Sequence, residues 1–361
     1  MESFNITQLR LQNQHLVQPE FITPSDIVKH MGAMQSQDYA AAKWALGQRL
    51  KGCTDDMVDK ALADGSIIRT HVLRPTWHFV HPDDLRWMLM LTAKRIQAAA
   101  VARHRQLQLD AAVLAKCEKL ILKALDGKEQ ITRDDAAAFL TAHGVATNEQ
   151  RFVHIMEHLE LAQLVCSGGR EGKQFTYALF DKRVPAAKLP EKEEALAMLA
   201  GRYFTSHGPA TIADFAWWSG LTITDAKAGL ESVKQKLTSH TFGKEAYWFA
   251  ERENLSDKAT AAHLLPNYDE YIVAYKNRDA TIDARHISKA DPRGTIFNHT
   301  FLINGKIEGL WKKVVKKDTL ELELNPFRKL NQKSLKAVEQ AAKQYAKFLG
   351  LKKSQFAEVI A

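Results

Sequence analysis

Residues 132–180 read TRDDAAAFLTAHGVATNEQRFVHIMEHLELAQLVCSGGREGKQFTYALF, and the order of elements in this stretch decides the fold. Thr132 followed by two aspartates opens a capped helix that stops at Gly144. Thr147 and Gln150 stand at capping-box spacing ahead of a second helix, RFVHIMEHLELAQ. LVCS and QFTYALF flank the Gly168–Lys173 turn as the strands of a β-hairpin. A further helix, Ala111–Leu125, precedes them all. Helix, short helix, helix and two-stranded hairpin is the order of a winged helix.

The same order occurs on both sides. Toward the N-terminus an amphipathic stretch, Ile6–Leu16, precedes TPSDIVKHMG, which ends at Gly32. A loop, MQSQD, leads into helices YAAAKWALGQRL and TDDMVDKALADG. Strands at 67–72 and 76–80 follow, joined by Leu73-Arg74-Pro75, and Pro82-Asp83-Asp84 opens a long basic helix. Toward the C-terminus, a linker bracketed by Pro185 and Pro190 leads to helices EEALAMLAGRYFTSHG, TIADFAWWSG and TITDAKAGLESVKQKL. A hairpin at 237–242 and 246–251 turns at Gly243-Lys244. An α+β domain with three unrelated hairpins is the alternative to three winged helices.

The rest of the chain changes character. HLLPNYDEYIVAY is apolar and aromatic, and residues 295–324 alternate with period two around a strong Asn304-Gly305 hairpin turn. This predicts a small antiparallel sheet or barrel near residues 264–326, closed by a helix from Ser334 to Leu349. The fold class expected is α+β, mainly α: three tandem winged-helix units (1–110, 111–185 and 190–255) and a C-terminal β-barrel or sheet with its helix (262–361).

A chain of 361 residues with 45% apolar and 25% charged residues is neither a disordered tail nor a disulfide-stapled mini-domain. Cys53, Cys117 and Cys166 form no CxxC pair, which argues against a disulfide framework and for a reducing compartment. No apolar run approaches a membrane span, and MESFNITQLRLQNQ lacks the build of a secretory signal, so a cytoplasmic protein is expected. The net charge is +8. Arg86–Gln108 contains no acid, and Trp311–Ser354 carries twelve Lys or Arg against four acids. Such patches suit phosphate backbones through counterion release; they also suit plain solvated faces. No Gly-rich phosphate loop or HExxH motif is present, so no cofactor is expected.

Gln35-Ser36-Gln37-Asp38 is the first place to look for chemistry. Two glutamines at i and i+2 in extended geometry face the same side, and each amide both donates and accepts. Such a pair can orient a water but takes no proton near neutral pH, so it suffices only when the leaving group is already good. An N7-alkylated purine, a cation whose departure from the sugar removes its charge, is that case, with orientation and electrostatics supplying the catalysis. The plainer alternative has Gln35 capping the preceding helix and Gln37 solvated. Asp38 either helps polarise the water or caps the following helix. The second place is Arg69–His78, where two histidines and two arginines on a hairpin are costly to bury unless partnered. They face phosphate or a lesion, or they form a hydrogen-bonded cluster with Asp83 or Asp84. His71 and His78 have no third ligand nearby, so no metal is expected.

The ordered blocks MQSQDYAAAKWALGQRL, IIRTHVLRPTWHFVHPDDLRWML, LLPNYDEYIVAYKNRDA and INGKIEGLWKK resemble the tandem winged-helix bacterial DNA glycosylases typified by AlkZ and YcaQ. The resemblance spans residues 5 to 350. It implies a C-shaped assembly with a basic channel, excision of alkylated purines from double-stranded DNA without a metal, and a monomer. The family's catalytic element is Gln-x-Gln in AlkZ-like members and Gln-x-Asp in YcaQ-like ones; Gln35 and Gln37 match the former. The middle residue is usually larger and apolar, and here it is Ser36. Arg69, His71, Arg74, His78, Lys94, Arg95, Arg170 and Lys173 are the candidate DNA contacts. Arg278 is expected to bond Asp269 or Asp279, and Trp44, Trp217 and Trp218 to lie in the core. A non-catalytic DNA-binding regulator of the same architecture and a small-molecule enzyme borrowing the fold are the alternatives.

Overall fold

Caps and strand alternation place the elements of residues 4–251, 260–290 and 298–359, which a computed structural model of the chain describes. After α1 (Ile6–Asn13), a first unit runs α2 (Pro24–Met31), β1 (Ala33–Gln35), α3 (Tyr39–Gly47), α4 (Asp55–Ala63), β2 (Ile68–Val72) and β3 (Arg74–Val80). The long α5 (Pro82–Gln106) leads to a second: α6 (Ala111–Leu125), β4 (Ile131–Thr132), α7 (Arg133–Ala142), α8 (Arg151–Leu161), β5 (Val165–Ser167) and β6 (Thr176–Leu179). A short α9 (Phe180–Arg183) precedes a third: α10 (Lys192–Ser206), α11 (Ile212–Ser219), α12 (Ile223–Val233), β7 (Thr238–Phe242) and β8 (Glu245–Phe249).

Where the sequence pattern predicts a loop at 34–38, Ala33–Gln35 is a strand: the first sheet has the order β1-β3-β2 and the second β4-β6-β5. The third unit repeats the device in miniature, Ala210 bridging Trp248. In each unit this short segment runs into the cap of the next helix, Asp38, Thr132 or Thr211, whose side chain accepts a backbone N–H. The capping box expected at Thr147 does not form. α8 starts instead from Gln150 in the left-handed region, and the Thr147 hydroxyl lies 3.1 Å from that of Thr141.

The C-terminal region comprises β9 (Ala262–Leu265), α13 (Glu270–Val273), α14 (Ile287–Ala290), β10 (Thr300–Ile303), β11 (Lys306–Lys316), β12 (Thr319–Pro326), α15 (Gln332–Phe348) and β13 (Lys353–Val359). Asn304 and Gly305 make the expected turn, both with positive φ, and a Cβ on Gly305 would lie 2.7 Å from Thr7 Cβ. The barrel expectation is corrected. The five strands form an open sheet, β13-β12-β11-β10-β9, whose last pair by sequence is parallel because α15 carries the chain back across the face before β13 starts.

The first unit sits at the junction of the buried clusters. Its helices pack with β10–β12 and α15 through Trp44, Leu322, Tyr345 and Phe348. Its hairpin and α5 pack with the third unit through Val72, Met88, Tyr203 and Trp218. The second unit keeps a core of its own around Ile121, Leu140 and Ile155. No helix among the described residues is long and apolar enough to cross a membrane.

Candidate active site

Period-two alternation decides what β1 presents. Ala33 joins the cluster shared with the third unit and Met34 the cluster shared with the C-terminal sheet. Gln35 therefore follows Ala33, and Ser36 follows Met34. Gln35 stands opposite His78 in the ladder, and the Ser36 N–H donates to the Trp77 carbonyl at 2.7 Å, extending the pairing past the strand. Gln37 is then opposite Thr76, whose hydroxyl donates to Gln37 Oε1 at 2.6 Å. Arg74, two residues along on the same face, donates through Nη2 to Gln35 Oε1 at 3.1 Å. Ser36 is fully buried; its carbonyl accepts from Arg69 Nε and Nη2 at 3.1 and 3.0 Å. Asp38 caps α3, accepting the Ala41 N–H at 3.1 Å.

Behind Gln35 lies Glu270, the first residue of α13. Its Oε1 accepts the Gln35 N–H at 2.6 Å, and its Oε2 accepts the Trp218 indole N–H at 3.0 Å and lies 3.3 Å from His207 Nε2. Burial alone pushes this carboxyl up. His207, the Gln35 N–H and Arg74 together outweigh burial and hold it below the ordinary carboxylate value, leaving a buried anion. Arg74 shows the converse: burial lowers it and Glu270 pulls it back. His78 is fully buried, its Nδ1 at 3.0 Å from the Thr76 carbonyl. Burial and the neighbouring Arg74 push its pKa down to about 3, so the ring is neutral.

The rest of the basic hairpin, expected to contact DNA, is buried among protein partners. Arg69 is buried, with its guanidinium 4.6 Å from the Trp77 ring and 4.5 Å from that of Phe175, and burial lowers its pKa to about 10. His71 is buried as well, Nδ1 at 2.5 Å from Glu160 Oε2, which also accepts the His71 N–H. The cluster partner is therefore Glu160 of α8, not Asp83 or Asp84; those bind Lys29 and Arg202. His71 and His78 are committed to separate partners and share no ligand site.

Both glutamines line one cleft of about 1070 Å³, together with Trp217, Tyr247, Tyr268 and Val273. Its charged lining is balanced, Arg74, Lys276 and Arg278 against Asp214, Glu245 and Asp279. Trp217 departs from the core expectation: it is 45% exposed, with its indole N–H on the Val273 carbonyl at 3.0 Å. Trp44 and Trp218 are buried. Arg278 is structural, but Nε bonds the Ile272 carbonyl, while Asp269 is held by Arg49.

A juxtaposed carboxamide pair in a cleft fits more than one chemistry, and comparison with known proteins narrows it. The family model "DNA glycosylase AlkZ-like" matches residues 28–348. The chain belongs to the AlkZ-like DNA glycosylases. An interstrand DNA cross-link repair glycosylase of Streptomyces sahachiroi is 25% identical over 363 residues, 95% of each chain. The structure of the DNA glycosylase AlkZ of the same organism matches 98% of both chains with a TM-score of 0.79 at 22% identity, a likeness of fold. The protein is thus a DNA-repair enzyme that hydrolyses N-glycosidic bonds.

In this glycosylase, Lys94 and Arg95 project from α5 into solvent, and Lys173 is exposed on the turn between β5 and β6. Arg170 on that turn is half-buried; its Nη2 bonds the Lys173 carbonyl at 2.7 Å and its head lies over Phe175 at 5.3 Å. Residues the sequence reading missed are Glu270, His207 and Trp217. For Glu270 a signal existed: a carboxylate inside the apolar run HLLPNYDEYIVAY has to be buried, and a buried carboxylate must find partners.

Proposed function

We propose that this glycosylase hydrolyses the N-glycosidic bond of N7-alkylated, cationic purines in double-stranded DNA, with Gln35 and Gln37 holding the attacking water. The observation that carries the reading is that two carboxamides, anchored by Arg74 and Thr76, line the same cleft. A leaving base that is already cationic needs no strong general base, which suits a pair of groups that take no proton. The balanced lining suits a cationic lesion better than a uniformly basic trough would. At about 1070 Å³ the cleft has room for an adduct larger than methyl, in keeping with the cross-link repair named for the Streptomyces relative. The three helix-and-hairpin units act as winged helices, and Lys94, Arg95, Arg170 and Lys173 hold phosphates outside the cleft. The enzyme works as a monomer in the cytoplasm.

Release of N7-methylguanine from methylated duplex by purified protein tests the reading. Gln35→Ala and Gln37→Ala should each abolish most of the release while DNA affinity at fixed salt stands. Release that persists in both variants would move the active centre away from this pair.

A further inference from the structure

The two glutamines are held by donors of different kinds. Arg74 offers only N–H groups, so the Gln35 carbonyl oxygen must face it and the amide NH₂ must face away. The Thr76 hydroxyl can donate or accept, so the Gln37 amide can turn over without losing its partner. Arg74 is itself held in place. Gly220 ends α11 with φ +67°, and a Cβ there would lie 2.3 Å from the Leu73 carbonyl and 3.5 Å from Arg74 Cγ. Only glycine lets α11 close onto the β2–β3 turn and the stem of Arg74. Glu270 offsets the arginine's charge and fixes the Gln35 backbone. Among the described residues nothing accepts from Gln35 Nε2, and Gln35 lines the cleft.

We propose that the pair is asymmetric: Gln35 is a fixed hydrogen-bond donor to the attacking water, Gln37 is its acceptor, and Arg74 and Glu270 are positioning residues that impose this division. The inference rests on the reading of the glutamines as the water-holding pair. In the step itself one water lone pair forms the bond to C1′ as the C1′–N9 bond breaks. That bonding pair goes to the base and cancels its charge. The second water lone pair accepts from Gln35 Nε2, one O–H donates to Gln37 Oε1, and the surplus proton passes to solvent. Arg74 is then no phosphate ligand. It acts on the reaction through an amide.

Isosteric glutamates separate donor from acceptor. Gln35→Glu removes the fixed donor and should lower single-turnover release at saturating enzyme by about 100-fold, the scale of losing one preorganised donor. Gln37→Glu keeps an acceptor and should retain at least about a tenth of the rate. Equal losses in the two, or a smaller loss in Gln35→Glu, would overturn the asymmetry. If the alanine variants had already lost release, the water-holding reading would survive that outcome; if they had not, it would fall too. Arg74→Met gives an independent reading should Gln35→Glu fold poorly. A slower release, by about tenfold, at unaltered DNA affinity and salt slope supports positioning. Weaker DNA binding with a shallower salt slope and an undiminished rate would return Arg74 to the phosphate backbone and overturn it.

Discussion

Asp269 and Glu270 are consecutive, both are fully buried, and their surroundings put them to different uses. Asp269 takes a bidentate grip from Arg49 at 2.9 and 2.7 Å and accepts the Tyr271 N–H at 2.9 Å. The other Arg49 bonds go to the Ala45 carbonyl and Gln14 Oε1. None of these groups lines the cleft; they tie α3 to α13 and close the fold. Glu270 instead meets a strand end, an indole and a histidine, and its charge acts on Arg74, which lines the cleft. A buried carboxylate matched entirely within the frame is architecture. One that binds the backbone of a cleft-lining residue also sets the position of that residue.

Breaking the first cluster should cost the most stability. Arg49→Met leaves Asp269 charged and buried, and the expected loss in chemical denaturation is about 3–5 kcal/mol. Because the cluster does not touch the cleft, release per folded molecule should stand. A stable Arg49→Met protein with slow base release would erase the contrast. Glu270→Gln should act the other way round. It keeps the size and an acceptor for the Gln35 N–H but removes the charge that balances Arg74. A stability loss of about 2–3 kcal/mol, for hydrogen bonds to a charged group, should come with slower release at unaltered DNA affinity. A purely architectural Glu270 would show the first effect and not the second.

The histidines on the Glu270 side make the same contrast readable by pH. His78 is held neutral, with a folded pKa near 3 against about 6.5 unfolded. Below the ordinary histidine value the unfolded chain binds a proton that the folded chain refuses, so stability falls as pH falls. The loss reaches about 2 kcal/mol by pH 5 from this residue alone. Glu270, depressed below its ordinary value, adds a loss that begins only in the carboxylate range. Melting followed from pH 7 to pH 4 should therefore show two descents, and His78→Gln should flatten the upper one. An equally steep upper descent in that variant would assign it elsewhere, for example to the buried His263, which is pushed down to about 4.

These contrasts track what could be read along the chain. Helices and hairpins were legible because their signals are local: the caps at Thr132 and Thr211, the glycine stops and the Asn304-Gly305 turn fall where the pattern puts them, though the cap at Thr147 does not form. β1 was not, since three residues carry no period of their own and the strand exists only by pairing with residues 78–80. The parallel fifth strand of the C-terminal sheet was not legible for a related reason, as the partner of β13 is settled by the path of α15. At the cleft, the i, i+2 spacing of Gln35 and Gln37 puts them on one side, and both line it. Arg74 was legible as a charge but not in direction, and the His71 partner came from another unit. The apolar run around Glu270 signals its burial, but only the folded chain shows which groups converge on it.

The smallest effect belongs to Ser36, which shares its segment with both glutamines but points to the other side. Its hydroxyl is buried and has no partner among the described residues. Strand β1 is held without it. The Gln35 and Ser36 N–H groups and the Ser36 carbonyl all have partners, in Glu270, Trp77 and Arg69. The side chain thus contributes a desolvated hydroxyl and no compensating bond. Ser36→Ala removes the hydroxyl without enlarging anything, and stability should stay level or rise by up to about 1 kcal/mol. A loss of more than about 0.5 kcal/mol would mean that an ordered water satisfies the hydroxyl. Asp269 and Glu270 would then not be the only neighbours here with opposite uses, because a polar group behind the glutamines would also be helping to hold their loop.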